Sequence, residues 1–377
     1  MFSYTLMNLI KSPMRSLQLI ASTFLVFILV LAASAFQEGM DKSLAISGDK
    51  KNVILLGKGS EESLERSEVM NSAVPAAKAI KGLKEVFGQT AVSPETHYNT
   101  LVQVGNIENE AMIRGVNAMA LSVYPAVQII DGKFPNSGEI MVGRLAWKRL
   151  DLAEDSLKIG SEISYENSTF KVSGIFAAPG TVMESEIWMN LNDLTAITQR
   201  DSVSAITLRL DDAEFDDVDL FAKQRLDLQL SAISEKDYYQ KVSSFYEPIQ
   251  MMAWITALMI AAGALFGGLN TFYAAIESRS KELATLQAIG YSRLKLFLSL
   301  YGESLLIHLF SFLLATSLAI TLFPMVHLNF GTTFFSLAIS QWQIVMTLIL
   351  AASMALIVTI LPGWHCLYPP LNKMLKD

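Results

Sequence analysis

Glu303 and His308 lie inside Leu296 to Val326, a run of otherwise mostly apolar residues in a chain of 377. An acid and an imidazole in such a run could relay a proton if they met, but at five positions apart they would not share a helix face. A carboxylate about two turns into a membrane-spanning helix costs roughly 2.5–3.5 kcal/mol unless it is satisfied or reaches the interface. The sequence therefore favours a structural role for Glu303, bonded back to the polar segment before it or to a basic residue there. Other reactive constellations are missing. Gly57-Lys58-Gly59-Ser60 has glycine and lysine in the wrong order for a phosphate-binding loop and reads as a turn. His97, His308, His327 and His365 are far apart and have no metal-ligand spacing. No nucleophile pairs with a base, so no cofactor is expected in this chain. Cys366, the single cysteine, permits no internal disulfide and reads as a small apolar filler.

The segment before Glu303 is the more informative one. Between Ile276 and Lys295 stand Arg279, Lys281, Glu282, Arg293 and Lys295, with Leu283, Leu286 and Ile289 interleaved. If Leu283 to Ala288 are helical, Leu286 and Ile289 form a small apolar face while Glu282, Thr285 and Gln287 stay polar. Gly290 then ends the turn at positive φ without a side-chain cost. So short a helix needs a partner surface to be stable.

The elements that must position this segment are apolar blocks. Leu17 to Phe36, Ile249 to Ile276, Leu296 to Val326 and Trp342 to Leu361 each have the roughly 20 residues needed to cross a hydrocarbon core of about 30 Å. Their flanks set the topology, since cytoplasmic flanks retain Lys and Arg. Lys11 and Arg15 precede the first block, the polar elbow carries four basic residues, and Lys373 and Lys376 follow the fourth. Phe323 to Gln341 has none and reads as an outside loop. Residues 37–248 hold 21 Lys and Arg against 32 Asp and Glu, net −11, and the remainder is +4. This acidic insert should lie outside, with both termini cytoplasmic, and nothing in it suggests nucleic-acid binding. Ala33-Ser34-Ala35 looks like a signal-peptide cleavage site, but the run before it exceeds the usual h-region of about 7–15 residues, which favours a retained span. The residues before it, with Phe2, Leu6, Leu9 and Ile10 on one side, read as an interfacial helix on membrane lipids.

The insert reads as an α+β domain. Strands are expected at Asn52–Leu56, Leu101–Val104, Ala111–Val116, Glu139–Val142, Glu162–Tyr165, Phe170–Phe176, Glu186–Met189 and Ala205–Leu210, and helices at Ser72–Val86, Arg144–Leu150 and Val218–Leu230. The division is 1–16, an interfacial helix; 17–36, the first span; 37–248, the α+β domain; 249–276, the second span; 277–295, the elbow; 296–326, the third span; 327–341, an outside loop; 342–361, the fourth span; and 362–377, a tail.

The order Arg279-x-Lys-Glu282-Leu-Ala-x-Leu286-x-Ala-Ile-Gly290-Tyr-Ser-Arg293, with Glu303 in the next apolar run, resembles the signature of the MacB/FtsX-like ABC transporter permeases. Asn8-Leu9 with Arg15-Ser16 is similar to that family's entry to its first span. Met112-Ile-Arg-Gly-Val116, Asp131-Gly-Lys-Phe134, Gly138-Glu-Ile-Met-Val-Gly143, Ile159-Gly160, Phe170-Lys-Val-Ser-Gly-Ile175 and Ile187-Trp188 resemble MacB-like periplasmic core domains.

The resemblance implies four transmembrane helices in a bacterial inner membrane, with a periplasmic α+β domain, porter-like with a strand-rich insert, between the first and second. It implies a coupling helix, Glu282, Leu283, Ala284, Thr285, Leu286, Gln287, Ala288, Ile289 and Gly290, that docks on a separate ATPase dimer, which holds the ATP and Mg. Arg279, Arg293 and Glu303 would transmit movement. A second permease copy or paralogue would complete a dimer through the first two spans, where Gly263, Gly267 and Gly268 allow close helix packing. A periplasmic adaptor and an outer-membrane channel are further expected partners of an exporter. The alternatives are an FtsX-like regulator of a cell-wall hydrolase, a lipoprotein-releasing permease, and a membrane receptor with an outside sensor domain.

Overall fold

The computed structural model describes residues 13–166, 168–330 and 333–367. Most of the interfacial N-terminal segment and of the C-terminal tail fall outside them. The chain divides into two compact units, one formed by Met1–Gly39, Glu247–Val326 and Ser336–Asp377, the other by Met40–Tyr246 and His327–Phe335.

The first helix, α1, runs from Pro13 to Ser47. At 1.5 Å per residue it is roughly 50 Å long, more than a hydrocarbon core requires. Its last turns, after Gly39, belong to the inserted unit.

Within that unit, β1 (Asn52–Gly57) and β2 (Val69–Met70) are followed by α2 (Ala73–Lys78), then a small hairpin of β3 (Glu85–Val86) and β4 (Gln89–Thr90). The helix expected over Ser72–Val86 stops early. Gly82 has φ +80, and a Cβ there would lie 2.7 Å from the backbone of Ala213, so the chain turns where it meets a neighbouring segment. Strands β5 (Val92–Val104) and β6 (Ile107–Val116) form a long hairpin, followed by α3 (Ala120–Val123), β7 (Gln128–Gly132), β8 (Glu139–Gly143) and α4 (Ala146–Arg149). Next come β9 (Glu162–Tyr165), β10 (Ser168–Ala177), β11 (Ile187–Asn190), α5 (Leu191–Thr198), β12 (Ser202–Val203) and β13 (Ala205–Arg209).

Helix α6 (Phe215–Gln224) starts at a capping box of Glu214 and Asp217. It also ends before the expected Leu230, because Leu230–Ser234 forms β14 and pairs antiparallel with β1. Helix α7 (Glu235–Phe245) closes the unit, capped by Ser234.

The main sheet runs β14-β1-β13-β5-β6-β11-β8-β10-β7, with β9 against β10 and β5. Strand β5 joins its halves: Val92 to Glu95 pair with β13, and Thr96 to Val104 with β6. Each half has its own core. Val53, Leu55, Val92, Ile206 and Val218 fill one; Ile113, Ile140, Ile163, Val172 and Leu194 fill the other.

The other unit continues with α8 (Glu247–Glu277), α9 (Ser280–Ala288), α10 (Arg293–Leu322) and α11 (Gln341–Leu367). With α1, helices α8, α10 (continued by one turn to Met325) and α11 are long and apolar enough to cross a membrane. Leu19, Phe272, Ile276, Leu300 and Val358 form one packing layer, and Val26, Phe27, Phe312, Ala315 and Met354 another. Some polar groups inside are paired: Thr23 Oγ1 donates to Ser311 Oγ at 2.8 Å, and Gln343 Nε2 donates to the Ser34 carbonyl at 2.8 Å. The expected loop after the third span contains a hairpin, β15 (His327–Phe330) and β16 (Thr333–Ser336). Asn329 Nδ2 donates to the Arg149 carbonyl at 3.3 Å, and His327–Phe335 accordingly groups with the inserted unit.

Candidate functional site: the elbow and its carboxylate anchor

Helix α9 is held at both ends by local geometry. It begins after Arg279, whose carbonyl accepts from Leu283 N at 3.0 Å. At the other end Gly290 N donates to the Gln287 carbonyl and Tyr291 N to the Leu286 carbonyl, each at 3.0 Å, with Gly290 at φ +107. These two bonds satisfy the last carbonyls in a Schellman arrangement that wants glycine at this position. Ser292 then caps α10, its Oγ accepting from Lys295 N at 3.4 Å, and Arg293 is the first helical residue.

The burial of α9 corrects one expectation. Leu286 and Ile289 do not form a common free face. Leu283 and Ala284 are buried, and Leu286, half-buried, packs with them against the helix bundle. Gln287 is also half-buried, its Nε2 3.5 Å from the Leu367 carbonyl. The outward side consists of Lys281, Glu282, Thr285, Ala288 and Ile289, the last 71% exposed. The reason is helix phase: a hundred degrees per residue puts 283 and 286–287 inward and carries 285, 288 and 289 around to the far side.

Glu303 is 4% exposed and reached from two directions. Arg279 Nη1 donates to Oε2 at 3.1 Å, and Arg15 Nη2 to Oε1 at 3.1 Å. The carboxylate thus joins the start of α1, the start of the elbow and the third span. His308 takes no part, since its Nδ1–H donates to the Ser304 carbonyl at 2.8 Å. Arg15 is the site residue that sequence reasoning missed. Its place in the Arg-Ser entry motif was visible, but a contact across 288 positions leaves no local signal.

The glycine stripe of α8 splits in two. Gly268 faces the bundle, where a Cβ would lie 3.4 Å from Val358 Cγ2, and Ala264 packs on the same side. Gly263 and Gly267 have nothing within 4 Å of such a Cβ. Helix α8 is the least covered of the four long helices.

The inserted unit has a buried ionic cluster where its sheet halves meet. Arg114 on β6 donates through Nε and Nη2 to Glu186 at 2.8 and 2.7 Å, and through Nη1 to Glu95 on β5 at 2.9 Å. Tyr124 donates to Glu95 Oε2 at 3.1 Å, and Trp188 Nε1 to Glu186 Oε2 at 2.9 Å. Burial alone would raise both carboxyls, but the Arg114 charge holds Glu95 and Glu186 below their usual range. Burial together with Arg114 lowers His97, leaving a neutral ring against Glu95. The cluster has no nucleophile and fastens β5, β6 and β11 together.

Two family models match the chain: the FtsX-like permease C-terminal model over residues 254–370 and the MacB-like periplasmic core domain model over residues 17–220. Among solved structures, the periplasmic region of MacB from Actinobacillus actinomycetemcomitans is similar at 12% identity, covering 52% of this chain and 94% of that one with a TM-score of 0.41. The extracellular domain of the noncanonic ABC-type transporter YknZ from Gram-positive bacteria is similar at 13% identity, covering 48% of this chain and 99% of that one with a TM-score of 0.39. No curated protein matches.

Proposed function

Since the chain belongs to the MacB/FtsX-like family of ABC transporter permeases, we propose that it is the membrane subunit of an exporter driven by a separate ATPase dimer. In this reading the outward side of α9, Glu282, Thr285, Ala288 and Ile289, docks on the ATPase, which binds ATP and Mg and performs the hydrolysis. Closure of the ATPase dimer displaces α9. Arg279 and Glu303 pass that displacement to α10, and Arg15 passes it to α1. Both α1 and the α7–α8 connection enter the inserted domain directly, so movement on one side of the membrane is delivered as movement of that domain on the other. In this reading the elbow and both termini lie in the cytoplasm and the inserted domain in the periplasm, which the Lys and Arg of the flanks support.

The observation that carries the reading is the rigid elbow. A capped helix with one buried side, tied to the third span by a buried carboxylate, moves as part of the bundle and exposes only one side to a partner. The open Gly263 and Gly267 edge of the sparsely covered α8 is where the second permease copy or paralogue would pack. The MacB-like domain between the first two spans favours an exporter acting with a periplasmic adaptor and outer-membrane channel. The FtsX-like match over the last three spans also supports a regulator that moves a cell-wall hydrolase. Purification in mild detergent, followed by identification of every co-purifying protein, tests the reading. An ATPase with an adaptor supports export, an ATPase with a hydrolase supports regulation, and no ATPase rejects both.

A further inference from the structure

At the end of α1 the inserted unit forms a half-open hollow of about 350 Å³. Ile46, Pro125, Ala126 and Met183 supply its apolar wall, and Asp49 and Glu235 the acidic one. Glu235 opens α7 and is 1% exposed. Its Oε2 accepts from Asp49 N and Asn52 Nδ2, each at 3.0 Å, whereas Oε1 accepts no bond from the described residues; the side chain lines the hollow. A nearly buried carboxyl that lines a half-apolar hollow with one oxygen unused by the protein is the pattern of a binding site.

We propose that this cavity binds a small amphipathic molecule bearing a protonated amine, its ammonium group on Glu235 Oε1 and its apolar part against Ile46, Pro125, Ala126 and Met183. The surrounding charges select for a cation. Asp49 is neutralised by Arg209, whose Nη1 lies 2.9 Å away, and Arg114 is held by Glu95 and Glu186. Tyr124 and Tyr239 are buried and neutral, and Lys50 at the mouth is exposed. Glu235 is therefore the acid without a cation. An anion would find Arg209 and Arg114 already paired, and a neutral amide would gain one ordinary hydrogen bond where an ammonium, by displacing the carboxyl proton, gains a charge-assisted one. The position gives the site leverage. Ser47 Oγ accepts from Val182 N at 2.9 Å, and a Cβ on Gly48 would lie 2.7 Å from Lys236 Cα, so the last turn of α1 abuts the first turn of α7. A molecule here touches the two segments through which the domain is entered and left. The inference goes beyond the permease reading and does not depend on it.

Titration calorimetry on the full chain in detergent micelles at pH 7, with phenethylamine and 2-phenylethanol in two buffers of different ionisation enthalpy, tests it. Burial raises the Glu235 carboxyl to about 8, so it is mostly protonated before binding, and an ammonium partner should expel close to one proton. The amine should bind at least ten-fold tighter than the alcohol. Glu235→Gln should lose both that preference and the proton release, and Ala126→Phe, which narrows the mouth, should bind neither compound. Uptake into micelles is common to all three proteins and cancels. Equal binding of amine and alcohol, no binding of either, or wild-type behaviour of Glu235→Gln overturns the proposal. If Glu235→Gln does not fold, a folded Ala126→Phe protein that still binds the amine normally overturns it as well.

Discussion

Arg279 and Glu303 meet at 3.1 Å, which makes the entry to the elbow and the interior of the third span one mechanical piece. Arg15 completes the arrangement from the first helix, and the carboxylate has one oxygen for each guanidinium.

Removing the shared carboxylate leaves two cations in a largely covered site. Glu303→Gln should lower the thermal stability of the purified protein, with a cost on the order of 3 kcal/mol as expected for breaking a buried pair. Arg15→Ala should cost less, because Arg15 is the more exposed of the two and Arg279 remains paired. Unfolding curves of the three proteins in one detergent check this; equal midpoints would mean that the triad holds nothing.

The two apolar residues of the elbow should respond differently to the same change. Ile289→Asp adds a charge where the side chain is already exposed, so folding should be unchanged while recovery of the ATPase falls at least ten-fold. Leu286→Asp puts the charge against Leu283 and the bundle, so the permease itself should lose stability. Unfolding midpoints and pull-down yields distinguish the two, and normal ATPase recovery with Ile289→Asp would remove the docking assignment.

Glu235 gives the inserted domain a signature in pH. Its folded-state value of about 8 lies above the ordinary 4.5, so the folded form binds the extra proton across that window. The contribution to stability is greatest at low pH, declines as pH rises from about 4.5 and is gone above about 8. Glu235→Gln should abolish this decline. His97, lowered by burial and by Arg114, acts in the opposite sense below about 6.5, so the informative quantity is the difference between wild type and Glu235→Gln. A difference that stays flat from pH 5 to 9 would contradict the assignment.

Helix α7 ends at Phe245 and α8 begins at Glu247, so a single residue, Tyr246, separates them. If the chain is the exporter subunit proposed above, several glycines inserted after Tyr246 should leave ATP hydrolysis intact and stop export, because a coil does not pass on displacement as a packed helix does. Hydrolysis and transport measured together in vesicles check this. Undiminished export would transfer the transmission role to α1.

The sequence by itself determined the four apolar helices, the acidic domain between the first two, and the elbow with its glycine stop. Each depends on information within one or two turns: the length of an apolar run, the sign of its flanks, a glycine at positive φ. Most strands of the inserted domain were legible for the same reason, from Glu162–Tyr165 to the core of Ser168–Ala177. What depended on distant residues was not legible. Leu230–Ser234 looks helical until β1 lies beside it, and the helix expected through Val86 gives way where Gly82 meets Ala213. Leu286 and Ile289 look equivalent in a helical pattern, and only the bundle beneath them decides which is covered. The partners of Glu303, from segments 288 and 24 positions away, and the unused oxygen of Glu235 belong to the same class. Local propensity is written into neighbouring residues, whereas burial and pairing are set by whatever the rest of the chain brings into contact.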